Sequence, residues 1–254
     1  MRYLLVTLWL AVCVPVQAGT LVRFCYEDKD APPFIHGAGL KVPASNPGLS
    51  IELIQTIDAL VPEVKFEYVR KPWNRCLHEL QQGRVDAVLA SYRQERESFM
   101  AYPKNSDGSL AEQYAVNRIG SCLLQHKQID APLNVNKRLR LAIPRGYAIK
   151  GLLPSNYSIL DTDSLPQAIR LVEQGLLDAT VGLCQIGNMA IELAPAFAQL
   201  KAVYPPLEVS YGFVSFSRQF YGQYQDASRL IWQASQQIDL DQMYQAYLLQ
   251  QSSP

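Results

Sequence analysis

One short pattern occurs twice in the chain and limits the fold more than any other feature. Leu80-Gln-Gln-Gly83-Arg-Val-Asp86-Ala-Val-Leu89 is echoed by Val172-Glu-Gln-Gly175-Leu-Leu-Asp178-Ala-Thr-Val181, at an offset of about 92 residues. Each copy has the form of an amphipathic helix end, a glycine stop, an Asp-Ala pair and an apolar strand. Repetition of this unit predicts two similar α/β lobes rather than one large sheet. Asp86 and Asp178 precede their strands, on the side away from the ligand edge of an open α/β sheet, which assigns them a structural role.

The first copy runs on into Ser91-Tyr-Arg-Gln-Glu-Arg96 and then Tyr102-Pro103. This polar turn follows the carboxyl end of a buried strand, where loop amides and helix N-termini converge on ligands. Ser91 and Arg96 are therefore the first candidates for a binding site.

Other elements follow in order. Leu21–Tyr26 is a first strand that opens into Glu27-Asp28-Lys-Asp30-Ala-Pro32-Pro33-Phe34, whose prolines end the ladder. Leu49, Ile51, Leu53, Ile54, Ile57 and Leu60 recur at helical spacing, and Val64–Val69 alternates as a second strand. Pro72 suits the first turn of a helix ending at Gly83, which puts Trp73 and Arg75 at its cleft-facing start. Trp73 either stacks on a bound solute or plugs the core. A strand over Tyr114–Leu124 makes the first crossing between lobes. Arg138–Ile143 is a strand leading into Pro144-Arg145-Gly146-Tyr147, where the glycine lets backbone amides approach a ligand and Arg145 either binds an anion or points into water. Asp163-Ser164 caps a helix over Leu165–Glu173, and Ala179–Cys184 is the strand after it. The chain crosses back near Tyr204-Pro-Pro206, before another strand at Tyr211–Phe216. Ala227, Leu230, Ile231, Ala234 and Ile238 form a helical stripe that is core packing and implies no cofactor. Both termini then belong to one lobe: residues 20–108 plus 207–254 form the first and 109–206 the second.

Residues 1–19 have the form of a cleavable leader, with Arg2 as the positive start, Tyr3–Val14 as the apolar stretch and Val16-Gln-Ala18 as the cleavage site. Secretion leaves Cys25, Cys76, Cys122 and Cys184, an even number in an oxidising compartment. They allow three pairings. The two-lobe reading favours Cys25 with Cys76 and Cys122 with Cys184, because a bridge across a moving cleft would lock it; four buried free thiols are the other outcome. No Cys-x-x-Cys occurs and His36, His78 and His126 stand isolated, so no metal site is expected. Lys plus Arg number 23 against 23 Asp plus Glu, a balance that excludes the basic surface nucleic-acid binding needs.

With these motifs assembled, the chain resembles the family 3 periplasmic solute-binding proteins, the amino-acid-binding components of ABC importers. The resemblance rests on the opening strand with Pro33-Phe34, on Gly48-Leu-Ser-Ile-Glu-Leu53, on the repeated helix-Gly-x-x-Asp-Ala unit, on Glu95-Arg96 beyond Ser91 and on Tyr102-Pro103. It implies a type II fold, two α/β lobes joined by a two-stranded hinge, in a monomeric periplasmic protein that delivers a small polar ligand to a membrane permease or receptor. It also implies that Arg96 pairs with the ligand's carboxylate with help from Ser91, that Asp28 is an acidic contact, that Trp73 stacks, and that Tyr26 and Phe34 are wall residues. The sequence departs from the pattern at Leu183, where amino-acid-binding relatives carry an aspartate for the α-ammonium. A buried ammonium lacking its carboxylate is costly, so Gln185, Asp28 or a shifted residue substitutes, or the ligand is an amino-acid-like acid or a carboxylate without the amine. A sensory module on the same fold, or an enzyme like the cyclohexadienyl dehydratases using Asp28 or Glu95 as acid or base, are the alternatives; no nucleophile-base pairing supports the latter.

Overall fold

Strand alternation divides the interior of the first lobe. In β1 (Thr20–Glu27) Val22, Phe24 and Tyr26 join one apolar cluster while Cys25 joins another on the opposite face, so the strand is buried on both sides. The structure, a computed structural model, describes residues 19–129, 133 and 136–251; the leader read at residues 1–19 lies outside them but for Gly19. Helix α1 (Leu49–Leu60) buries Ile51, Ile54 and Ile57 against that sheet and leads to β2 (Val64–Lys71), which pairs with β1 in parallel. Next come α2 (Trp73–Gln81), β3 (Ala87–Ser91), a 3₁₀ turn at Gln94–Ser98 and the short β4 (Met100–Ala101).

The chain crosses to the second lobe along β5 (Asn117–His126). There β6 (Arg140–Pro144) and β7 (Ser158–Thr162) pair in parallel, α3 (Leu165–Glu173) packs on them, β8 (Thr180–Ile186) returns beside β5, and β9 (Met189–Ala190) pairs with β8. A long strand, β10 (Leu200–Ser217), crosses back to α4 (Arg218–Gln223), α5 (Gln225–Ser235) and α6 (Leu240–Gln251). Among the described residues no helix is long and apolar enough to cross a membrane.

The helices at Leu49–Leu60 and Leu165–Glu173 coincide with the spacing that predicts them, and the Ser164 hydroxyl accepts from the Gln167 N–H as an N-cap. Three details differ from expectation. Tyr114 closes a 3₁₀ turn, so the crossing strand starts at Asn117. The return crossing is unbroken: β10 runs through Pro205 and Pro206, because an extended backbone tolerates proline where the ladder lapses, and its register against β5 slips between Val203 and Glu208. The two lobes also share one hydrogen-bonded path, β2-β1-β3-β10-β5-β8-β9, because β10 pairs with β5 over its first part and with β3 over its last.

The repeated sequence pattern becomes a repeated clasp. Asp86 accepts from the Arg23 backbone N–H (2.9 Å), Nε (2.8 Å) and Nη2 (2.7 Å), and Asp178 accepts from the Arg140 N–H (2.7 Å), Nε (3.4 Å) and Nη2 (2.8 Å). Each aspartate returns its own N–H to the arginine's carbonyl, at 2.9 and 2.8 Å. Gly83 and Gly175 supply the left-handed turns before them, with φ of 66° and 69°. Both disulfides lie within a lobe: Cys25–Cys76 ties β1 to α2, and Cys122–Cys184 ties β5 to β8.

Candidate functional site

The crossing ribbon forms the floor of a cavity of about 280 Å³ between the lobes. Asn117, Ile119 and Ser121 of β5 line it, each directly opposite a lining residue of β10: Gly212, Ser210 and Glu208. Pleating explains this, since every second residue of each strand faces the same side. Gly212 leaves room for the Asn117 amide, since a Cβ at that position would lie 2.4 Å from Asn117 Oδ1 and make that side chain shift. That oxygen is buried without a hydrogen-bond partner.

One wall carries the charge. The turn after β3 brings Ser91, Arg93 and Arg96 to the cavity. Arg96 is only 8% exposed and donates from Nη1 to the Ser91 carbonyl at 3.3 Å. Burial lowers its pKa from the ordinary arginine value, with the neighbouring Tyr102 phenol acting the other way. Among the described residues Arg96 forms no ion pair, whereas Arg93 is engaged by Glu208. The Ser91 hydroxyl lies 3.2 Å from that of Ser210. At the end of β1, Glu27 also lines the cavity, and burial pushes its carboxyl up to about 7, against the backbone N–H of Trp73 which holds it down. Burial raises the Tyr147 phenol as well, with Glu27 adding to the effect. The opposite wall is largely apolar, from Ile149, Leu165, Leu183 and Phe197.

Of the residues singled out in the sequence, Arg96, Ser91, Phe34, Trp73 and Tyr147 come together around this space. The others do not line it. Tyr26 points into the first-lobe core beneath Phe24 and Arg70, because it lies on the Val22 and Phe24 face of β1. Asp28 follows Glu27 just past the end of β1 and is not part of the lining; its Oδ1 is buried with no partner among the described residues. Arg75 pairs with Glu79 one helical turn on, and Arg145 pairs with Asp163 at the surface. Gly146 serves lobe packing: with φ +83° it lets the second-lobe turn abut α2, where a Cβ would meet Asn74 Oδ1 at 2.1 Å. A second contact between the lobes runs from Lys29 Nζ to the Asp163 carbonyl at 2.7 Å.

Sequence reasoning missed Glu27, Arg93, Asn117, Glu208 and Ser210. Glu27 and Arg93 were within reach, one residue from Asp28 and three from Arg96. Glu208 was not, because its meaning lies in a partner 115 residues away. Among the described residues no cluster of His, Cys, Asp or Glu is placed to hold a metal ion.

No protein-family model and no curated protein matches the chain. Solved structures do. A double-mutant form of the BvgS VFT2 domain of Bordetella pertussis superposes with a TM-score of 0.64 at 17% identity, covering 89% of this chain and 91% of that one. The substrate-binding protein of an amino acid ABC transporter gives 0.62 at 15%, covering 91% and 96%. Holo ArgBP from T. maritima gives 0.61 at 16%, covering 86% and 90%. At such identities the likeness is one of fold. The chain has the two-lobed α/β fold shared by amino-acid ABC substrate-binding proteins and the BvgS VFT2 domain, in a divergent sequence.

Proposed function

We propose that the protein is a secreted, monomeric solute-binding protein of the periplasm that captures a small, amino-acid-like carboxylate between its lobes and presents the closed form to a membrane permease or receptor. Residues 20–108 and 207–254 make the first lobe and 109–206 the second, with α6 of the first-lobe sequence sharing an apolar cluster with Leu124, Cys184 and Phe197 and its Tyr244 hydroxyl donating to the Glu192 carbonyl. The observation that carries the reading is Arg96: a buried guanidinium, free of any ion pair among the described residues, aimed into a cavity of about 280 Å³. A planar guanidinium offers a carboxylate two parallel hydrogen bonds, strengthened by exclusion of water. The volume suits a solute as small as an amino acid, since about 280 Å³ lies just below the roughly 300–1,000 Å³ of drug-sized ligand pockets.

Glu27 supplies the acid that position 183 lacks. A cationic group beside it would find a carboxylate already in the cavity, and binding would draw the Glu27 proton off. Ser91, Asn117 and Tyr147 add polar contacts, and Trp73 with Phe34 closes the walls. Titration calorimetry with a panel of amino acids and organic acids is the direct test. Heat from at least one carboxylate-bearing solute is expected, and silence across the panel from folded protein would refute the proposal.

A further inference from the structure

Arg93 and Arg96 stand three residues apart on one turn and both line the cavity, yet only Arg93 is neutralised. Its Nη2 donates to Glu208 Oε2 at 2.6 Å, its Nη1 pairs with Oε1, and the two side chains are 16% and 14% exposed. Nη1 also donates to the Tyr92 carbonyl at 2.9 Å. The backbone sets the partner's place: Glu208 is the first residue after the slip in β10, opposite Ser121, on the strand face that points into the cavity. The Ser91 and Ser210 hydroxyls make a second link from the same turn to the same strand.

We infer that Glu208 is a specificity-determining residue which, by occupying Arg93, leaves the cleft a single free guanidinium and so selects ligands with one carboxylate over those with two. This rests on the proposed carboxylate-binding function. A second ligand carboxylate can reach Arg93 only by displacing Glu208 from a two-armed, mostly buried pair, and it then meets the displaced negative charge. Discrimination of this kind works by repulsion as much as by attraction.

The test is calorimetry on wild type, Glu208→Gln, the double variant Arg93→Gln with Glu208→Gln, and Arg96→Ala. The probes are matched acids and amides: glutamate with glutamine, aspartate with asparagine, and glutarate and succinate with their monoamides. Wild type is expected to prefer the monocarboxylate of at least one pair by tenfold or more. Glu208→Gln is expected to move that ratio toward the diacid by at least tenfold, and the double variant to restore it, since both charges are then gone. A wild type that prefers diacids overturns the inference. So does a Glu208→Gln variant with a cooperative melt and an unchanged ratio, or, should that variant fail to fold, a double variant whose ratio departs from wild type. Arg96→Ala separates the two levels: loss of all binding with an unmoved ratio in Glu208→Gln removes the inference and keeps the function. Wild type that binds no probe removes both.

Discussion

Glu27 links the cavity to pH in a way that can be measured without knowing the ligand. Burial raises its carboxyl from 4.5 to about 7, so between those values the folded chain holds a proton that the unfolded chain has released. Stability then falls as pH rises: the contribution is whole below about pH 4.5 and gone above about pH 7.5. The ceiling is about 3 kcal/mol, at roughly 1.36 kcal/mol for each tenfold change in proton affinity. Partial access to solvent reduces this, and ~2 kcal/mol is expected, which for a chain of this size is about 4–8 °C in Tm. Thermal melts of refolded, solute-free wild type and Glu27→Gln between pH 5 and pH 8.5 check it. The other titrating groups are common to both proteins and cancel in the difference. Wild type should lose the stated 4–8 °C relative to the variant across that range, and parallel curves would refute both the burial of the charge and the role assigned to it. The same group predicts proton release when a cationic ligand binds near pH 6.5, seen as heats that depend on the buffer's ionisation enthalpy in wild type and not in Glu27→Gln.

Three further substitutions read other parts of the structure. Arg96→Ala should weaken carboxylate binding by ~2–5 kcal/mol, and Arg96→Lys should fall between because it keeps the charge and loses the fork; calorimetry on the two variants measures the order. Asp86→Ala should lower the denaturant midpoint further than Asp178→Ala, since the aspartate side chains are 10% and 30% exposed in otherwise matching clasps; equal losses would mean that burial does not set the difference. Arg70 is 3% exposed and donates to the carbonyls of Glu27, His36, Gly37 and Lys41; Arg70→Met should speed amide exchange in residues 36–41 and weaken ligand binding together, and unchanged exchange there would deny it the task of pinning the cavity wall.

Much of the architecture was legible because it is written in local, periodic signals. The helices at Leu49–Leu60 and Leu165–Glu173 announce themselves by spacing and by glycine or serine at their starts, and the doubled glycine and aspartate announce two equivalent units. The place of Arg96 beside the cavity was legible for a similar reason, since a turn after a buried strand lies at the open edge of the sheet. The losses have a different physics. Tyr26 is one residue from Glu27, and a strand turns successive side chains to opposite faces, so an error of one residue exchanges the cavity for the core; Asp28 lies one residue past the end of that strand. Arg145 and Arg75 carry the charge a site needs, but each met an acid close by in space, Asp163 and Glu79. Helix α6 was not foreseen although Leu240, Met243, Tyr244, Tyr247 and Leu248 recur at helical spacing, because two of the five are tyrosines, whose rings count as apolar only once they are buried in the cluster that holds Leu124, Cys184 and Phe197.

The division of labour across the cavity bears on how closure would be driven. Arg96 and Glu27, the groups able to hold the two ends of a zwitterion, both stand on the β1 and β3 side of the crossing ribbon, and Arg93 and Glu208 cancel each other on its edge. The facing wall contributes Ile149, Leu165, Leu183 and Phe197, with Tyr147 as its polar member. With leucine at position 183, the charged groups of the cavity stand on one side and the other side is largely apolar. On the proposed function, a ligand's charges would be satisfied before the lobes meet, and closure would be driven by apolar burial at about 25 cal/mol per Å² together with the contact of Lys29 with the Asp163 carbonyl across the gap. Affinity should then rise with the apolar bulk a ligand offers to Leu183 and Phe197, while its charges decide admission.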